Sequence, residues 1–194
     1  MNKNIALIRG DGIGPEIVEE AVKVLNAVAS LYGHSFNYCD VDMGGVAIDK
    51  WGDPLPEQML KKCLESDSVL LGAVGGTKWN SLPGDMRPEK GLLRLRSGMG
   101  VYSNNRPAKI WPQLADASPL RPEIVNKGID FIIVRELIGG IYFGEHCTNV
   151  MYGKRIATDV LRYSEDEIQR IGRIGFETAR KAAKSSAPLK RATS

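Results

Sequence analysis

The stretch IRGDGIGPEIV, Ile8–Val18, sets three alternating glycines and a proline between an apolar run and an apolar-periodic segment. Ile5–Ile8 is unbroken in apolar residues and closed by Gly10, the pattern of a buried parallel strand. Pro15 suits the first helical position, where its missing N–H is no loss. Ile17, Ala21, Leu25 and Val28 then recur at helical spacing, with Glu16, Glu19, Glu20 and Lys23 on the other side, and Gly33 ends the helix. The turn between strand and helix admits two readings. The dinucleotide fingerprint wants its third glycine three residues after the second, then an acid about twenty residues on. Here Gly10, Gly12 and Gly14 alternate, and Asp40 and Asp42 come late. The segment is either a loop that holds a nucleotide or a tight strand-to-helix turn.

Working outward, Ser35–Val41 reads as a second strand, residues 56–65 as a helix entered through Pro54 and Pro56, and Asp67–Gly72 as a third buried strand. This alternation predicts an α/β fold: an open, parallel-containing sheet with helices on both faces. Residues 75–91 read as a long loop, a length that usually carries function. Val101–Asn105 and Ile129–Val134 are further strands, the second one buried. A β-ribbon is expected over 148–163 around Tyr152-Gly153, and Ser164 with Glu167 forms a capping box that opens a helix over 164–184. Ile168, Ile171, Gly175, Ala179 and Ala182 line one face of that helix. Ser185–Ser194 is small, polar and basic, with Lys190 and Arg191 read as a solvated end. The expected division is a first lobe over 1–100 and a second over 101–194.

The 26 basic and 23 acidic residues leave a net charge of +3, too little to argue for a nucleic-acid or membrane partner. The longest apolar run, Val69–Val74, is far too short to cross a bilayer. Cys39, Cys63 and Cys147 are odd in number and widely spaced, which fits reduced thiols in a cytoplasm better than a disulfide framework. His146 and Cys147 beside Glu145 are set aside as metal ligands, because adjacent residues rarely converge on one ion.

Six arginines, at 87, 94, 96, 106, 121 and 135, fall within one window. Arg106 follows a strand and Arg135 ends one. Open parallel sheets bind ligands beyond the carboxyl ends of their strands. A guanidinium there can grip a carboxylate or phosphate with two parallel hydrogen bonds. Scattered surface arginines are the alternative. Tyr142 lies among Gly139, Gly140 and Gly144; it reads either as a hydroxyl presented to a ligand and able to carry a proton, or as a core aromatic in a turn.

Five motifs in order resemble the amino-terminal half of the decarboxylating dehydrogenase family that includes isopropylmalate and isocitrate dehydrogenases. They are Gly10–Glu16, Gly72–Gly76, Leu92–Arg96, Ser103–Lys109, and Val134–Leu137 with Gly139–Gly144. The resemblance implies a two-lobed fold that is not a Rossmann domain, with the glycine segment as a turn at the cleft edge. It implies NAD-dependent oxidation of a 2-hydroxy dicarboxylic acid, then decarboxylation, with 3-isopropylmalate of leucine biosynthesis as substrate. Arg96, Arg106 and Arg135 match the carboxylate-holding arginines, Tyr142 the tyrosine that helps protonate the enol, and Leu92 and Leu93 the wall for the isopropyl group. Gly75, Gly76, Glu89 and Ile13 match the cofactor side. The Mg2+ or Mn2+ ligands, the lysine paired with the tyrosine and the adenosine loop belong to the family's other half, so these 194 residues are expected to be inactive alone. The full-length form is expected to be a homodimer. An isocitrate, homoisocitrate or tartrate dehydrogenase and a non-catalytic fragment are the alternatives. Asn105 and Glu145–Asn149 depart from the family pattern, the latter in the ribbon that joins subunits.

Overall fold

The computed structural model describes residues 1–183; the last residue of the helix expected over 164–184 and the basic stretch Ser185–Ser194 lie outside the described residues. The chain divides into two compact units, Met1–Gly100 and Val101–Ser194. The first contains β1 (Asn2–Gly10), α1 (Gly14–Tyr32), β2 (Ser35–Asp40), α2 (Gly45–Trp51), α3 (Glu57–Glu65), β3 (Ser68–Ala73) and α4 (Pro88–Met99). Its sheet is parallel in the order β2-β1-β3, with Leu7 of β1 opposite Asp40 on one side and Leu70 on the other.

Side chains alternate across a strand, so β1 feeds two cores. Ile5 and Leu7 pack with Val18 of α1, joined by Val22, Leu25 and Leu70. Ala6 and Ile8 point the other way, into Val41, Met43, Leu55, Met59, Cys63 and Leu95. Burial pushes the Cys63 thiol up to about 11. The unbroken apolar run of β1 is thus explained by helices on both faces of the sheet.

The helix faces differ from the sequence expectation. Ile17 and Val28 are exposed, and Gly14 and Val18 are buried, with Val22 and Leu25 continuing their side. Gly14 sets this rotation. It lies so close to the Arg9 carbonyl and the Ala73 backbone that a β-carbon there would collide with both. Pro15 consequently occupies the second helical position. The outer strand β3 is only half-buried, since among the described residues it has a neighbour on one side alone. Two helices of this unit were not legible as such. The seven-residue α2 starts at a glycine pair, and α4 begins at Pro88, inside the segment expected to be loop.

The second unit contains β4 (Ser103–Lys109), α5 (Pro122–Val125), β5 (Asp130–Glu136), β6 (His146–Met151), β7 (Lys154–Asp159) and α6 (Glu165–Ala183). β4 and β5 form an antiparallel pair, as do β6 and β7. The latter turn at Tyr152-Gly153, both with positive φ, as a two-residue hairpin turn requires. At the start of α6, Ser164 N–H donates to Glu167 Oε2 at 2.7 Å and Glu167 N–H to Ser164 Oγ at 3.3 Å, a complete capping box.

Ile129–Val134 was expected to be buried. Instead Phe131, Ile132 and Ile133 are each about half exposed, because a two-stranded pair leaves faces that only a further layer covers. On α6, Ile168 is exposed, while Arg170, Ile171 and Ile174 are half-buried; the inward side follows Arg170, which reaches Glu136 at the end of β5.

Leu55 is fully buried and Leu31 largely exposed. Leu55→Ala is expected to lower unfolding free energy by about 3 kcal/mol. Leu31→Ala should change it by less than about 0.5 kcal/mol. Urea titration followed by circular dichroism measures both.

Candidate functional site

In the first unit the glycine segment is a turn closed by its own bonds. Asp11 N–H donates to the Ala73 carbonyl at 2.7 Å and Gly14 N–H to the Asp11 carbonyl at 2.8 Å. Gly10, with φ of 72°, abuts the Ala73 carbonyl, where a side chain would clash. The late acids are also engaged. Arg9 Nε donates to Asp40 at 2.9 Å, and Asp42 accepts from Lys50 and Trp51. The segment is a tight strand-to-helix turn.

The carboxyl ends of the parallel strands β1 and β3 lie side by side, and the candidate residues of this unit follow from them. Ile13 is exposed beyond β1. Gly75 and Gly76 follow β3. Gly75 has a φ of 103°, and a β-carbon on it would lie 2.8 Å from Glu89 Oε1, so the Glu89 carboxylate sits directly against Gly75. Glu89 itself lies in the first turn of α4 rather than on the preceding loop. Leu92, Leu93 and Arg96 follow at three- and four-residue spacings from it or from one another, which aligns them along one side of α4. Seven residues of helix place Glu89 and Arg96 about 10 Å apart along the axis. Leu92 also packs partly against the core around Leu55 and Leu95.

Two of the six arginines serve the scaffold. Arg87 donates to the carbonyls of Leu82 and Asn80, closing the loop before α4. Arg94 Nη1 pairs with Asp53 at 2.6 Å and holds α4 to the segment before α3.

In the second unit, Arg135 lies opposite Asn104 in the β4–β5 register, and Arg106 is two residues from Asn104. Directly opposed residues share a face, as do residues i and i+2, so Arg106 and Arg135 project diagonally from the same face. Asn104 Oδ1 accepts from Arg106 Nε at 3.0 Å. The Arg135 guanidinium carbon lies 5.6 Å from the centre of the exposed Tyr142 ring. Within this unit Arg135 therefore lies beside Tyr142 and shares a strand face with Arg106, and Arg96 belongs to the other unit. The glycines beside Tyr142 serve the fold: Gly144 abuts the Val160 carbonyl, and Gly140 N–H donates to the Arg162 carbonyl at 3.0 Å.

The end of β5 that presents Arg135 is pinned by its neighbour. Arg170 donates to both oxygens of the Glu136 carboxylate, which is buried to all but 7% of its side chain, and stacks 4.6 Å from the Tyr102 ring centre. Burial raises the Glu136 carboxyl, but the hydrogen bonds from Arg170 and the Ile138 N–H outweigh it and hold the group below the ordinary glutamate value near 4.5.

His146 Nδ1 lies 2.7 Å from Asp159 across the β6–β7 ribbon. Among the described residues no three His, Cys, Asp or Glu side chains converge as metal ligands would. No helix among them is long and apolar enough to cross a membrane. The structure also reveals polar residues to which sequence reasoning assigned no role: Asp11, Asp49, Asp53 and Asn104. The available signal for Asp11 was an acid between two glycines directly after a buried strand.

Residues 4–191 match the family model described as isocitrate/isopropylmalate dehydrogenase. The 3-isopropylmalate dehydrogenase of Aquifex aeolicus is 56% identical over 181 residues, covering 93% of this chain and 50% of that protein. That of Helicobacter hepaticus is 53% identical over 184 residues, covering 95% and 52%. Among solved structures, isocitrate dehydrogenase from Methylococcus capsulatus aligns with a TM-score of 0.68 at 28% identity, covering 93% of this chain and 48% of that one. A beta-decarboxylating dehydrogenase from Thermococcus kodakarensis aligns with a TM-score of 0.61 at 31% identity, covering 93% and 46%. The chain spans about half the length of the relatives it matches.

Because the Glu136 carboxyl titrates below its unfolded value, the stability it contributes is complete above that value and is lost as pH falls through the folded one. Arg170→Met leaves the carboxylate buried without its partner and is expected to cost about 3 kcal/mol near neutrality. The loss should shrink on acidification. Urea titrations at neutral pH and near pH 4 test the sign.

Proposed function

The chain belongs to the isocitrate/isopropylmalate dehydrogenase family, and from that premise we propose that the protein carrying it at the length of its relatives is a 3-isopropylmalate dehydrogenase. The reaction is oxidation of a 2-hydroxy dicarboxylic acid followed by loss of carbon dioxide, as a step of leucine biosynthesis. The observation that carries this reading is the cluster in the second unit: two guanidinium groups on one strand face, with a phenol beside one of them.

Arg106 and Arg135 hold the carboxylates of the malate core; Arg96 of α4, in the first unit, takes the same assignment from the family match alone. Each charge-assisted bond contributes roughly 1.5–3 kcal/mol and fixes the orientation of the acid. Leu92 and Leu93 of the first unit are assigned to the isopropyl branch from the family match, at the position where isocitrate has a third carboxylate. This favours the branched substrate over isocitrate, homoisocitrate or tartrate, at about 1–3 kcal/mol per methylene. NAD, held by Ile13, Gly75, Gly76 and Glu89, would supply the acceptor for the hydride of the substrate's secondary alcohol. Ile13, Gly75, Gly76 and Glu89, gathered where β1 and β3 end, form the wall on that side, with the Glu89 carboxylate lying against Gly75. After carbon dioxide leaves, the Tyr142 hydroxyl supplies a proton to the enol carbon. We assign the Mg2+ or Mn2+ ligands to the half of the relatives that this chain does not span.

The active form is a cytoplasmic homodimer. Three free thiols suit a reducing compartment, and the ribbon β6–β7 offers exposed Val150, Tyr152 and Ile156 to a second subunit. The 194 residues alone do not turn over.

Steady-state assay of the protein at the length of its relatives is expected to give NADH with 3-isopropylmalate. Good turnover with isocitrate or tartrate and none with isopropylmalate would reject the substrate assignment, and NADH formation by the 194-residue chain would reject its inactivity. Arg135→Lys or Arg106→Lys should lower kcat/KM about 10- to 100-fold. Tyr142→Phe should lower kcat by about a hundredfold with little change in KM.

A further inference from the structure

Asp11 is only 4% exposed, and its carboxylate is held by backbone alone. Oδ2 accepts from the N–H of Gly45 and of Gly75, and Oδ1 from the N–H of Val46, each at 2.8 Å. One anion thus joins the turn after β1, the start of α2 and the exit of β3. A second tie lies further along the same loop. Asp49 of α2 accepts from Lys78 Nζ at 2.6 Å and from Trp79 Nε1 at 3.2 Å. Trp79 also covers Gly45 so closely that a side chain there would overlap the indole. Helix α2 is therefore a platform to which the segment Gly75–Trp79 is fastened at both ends.

We infer that Asp11 and Asp49 are positioning residues that hold the Gly75–Glu89 segment on α2 and thereby set the affinity for the nicotinamide cofactor. The inference rests on the proposed function for its cofactor half only. Asp11 contacts Gly75, and Gly75 contacts Glu89; neither aspartate touches a reacting atom. The carboxylate chemistry is specific. An asparagine at position 11 offers one acceptor oxygen. Placed where Oδ2 lies, it retains Gly45 and Gly75 but turns an amide donor toward the Val46 N–H. Alanine leaves all three donors without this partner.

Two variants separate the device from general stability. Asp49 is partly exposed, so Asp49→Ala is expected to fold; Asp11→Asn probes the inner tie. Hydrogen exchange on the 194-residue chain should show the amides of Trp79, Asn80 and Leu82 exchanging about fivefold faster in Asp49→Ala, with β1 amides unchanged. In Asp11→Asn the amide of Val46 should lose protection more than that of Gly75. Unchanged exchange, or equal acceleration throughout β1 and the loop, overturns the positioning role. In the protein at the length of its relatives, Asp49→Ala should raise KM for NAD about fivefold, while kcat and KM for the hydroxy acid move less than about twofold. Accelerated loop exchange with an unchanged KM for NAD overturns the cofactor half. Absence of NADH formation by the unsubstituted protein would instead count against the proposed function, with the exchange measurements still deciding the positioning role.

Discussion

A carboxylate taken out of water costs several kcal/mol unless its lone pairs are met. In the first unit that condition is satisfied at Asp11 by three main-chain N–H groups from two distant segments. The arrangement constrains far more than one side chain. It requires the turn after β1, the glycine pair before α2 and the glycine pair after β3 to converge on a point a few ångströms wide. Parallel pairing makes this possible, because the strands reach the same edge of the sheet. The glycines are consequences. Gly10 and Gly14 let the turn close onto Ala73, and Gly44 passes where a β-carbon would lie 2.5 Å from the buried carboxylate oxygen.

The second unit solves a related problem with side chains. Glu136 is buried at the end of β5, and Arg170 of α6 meets both of its oxygens while resting on Tyr102. The neighbouring Arg135 points to the opposite face of the strand, as alternation demands. Arg170 of α6 thus engages one face of β5 through Glu136, and Arg135 projects from the other. Asn104 adds a neutral acceptor that orients Arg106 without cancelling its charge, which an aspartate there would do.

Resemblance by motif and resemblance by whole-chain identity agree on the family, and they rest on different observations. The motifs name local chemistry at a few residues. The relatives match across more than nine-tenths of this chain but only about half of their own length. Among the described residues, the second unit carries two arginines on one strand face with a phenol beside one of them, and the first carries a glycine turn closed around a buried aspartate.

Much of this was legible from the order of residue types. The apolar run at Ile5–Ile8, the stop at Gly33, the turn at Tyr152-Gly153 and the capping box at Ser164 and Glu167 are local signals, set by backbone conformation and near neighbours. They correspond to elements of the fold. The arginine pair 106 and 135 was legible as candidates, but their common face depended on the β4–β5 register, which pairs residues about thirty positions apart. Helix rotation was likewise not local: periodicity admitted Ile17 and Val28 to the buried side of α1, and the contact of Gly14 with Arg9 and Ala73 turned them outward. Helices α2, α4 and α5 escaped because the glycine or proline at each start also reads as loop, although proline is compatible with the first helical turn. The sequence by itself determined the alternation of strand and helix and the kinds of charge available. Which charges meet, and which are spent on the scaffold, was decided only in three dimensions, because a buried ion is tolerated only where distant backbone and side-chain partners arrive together.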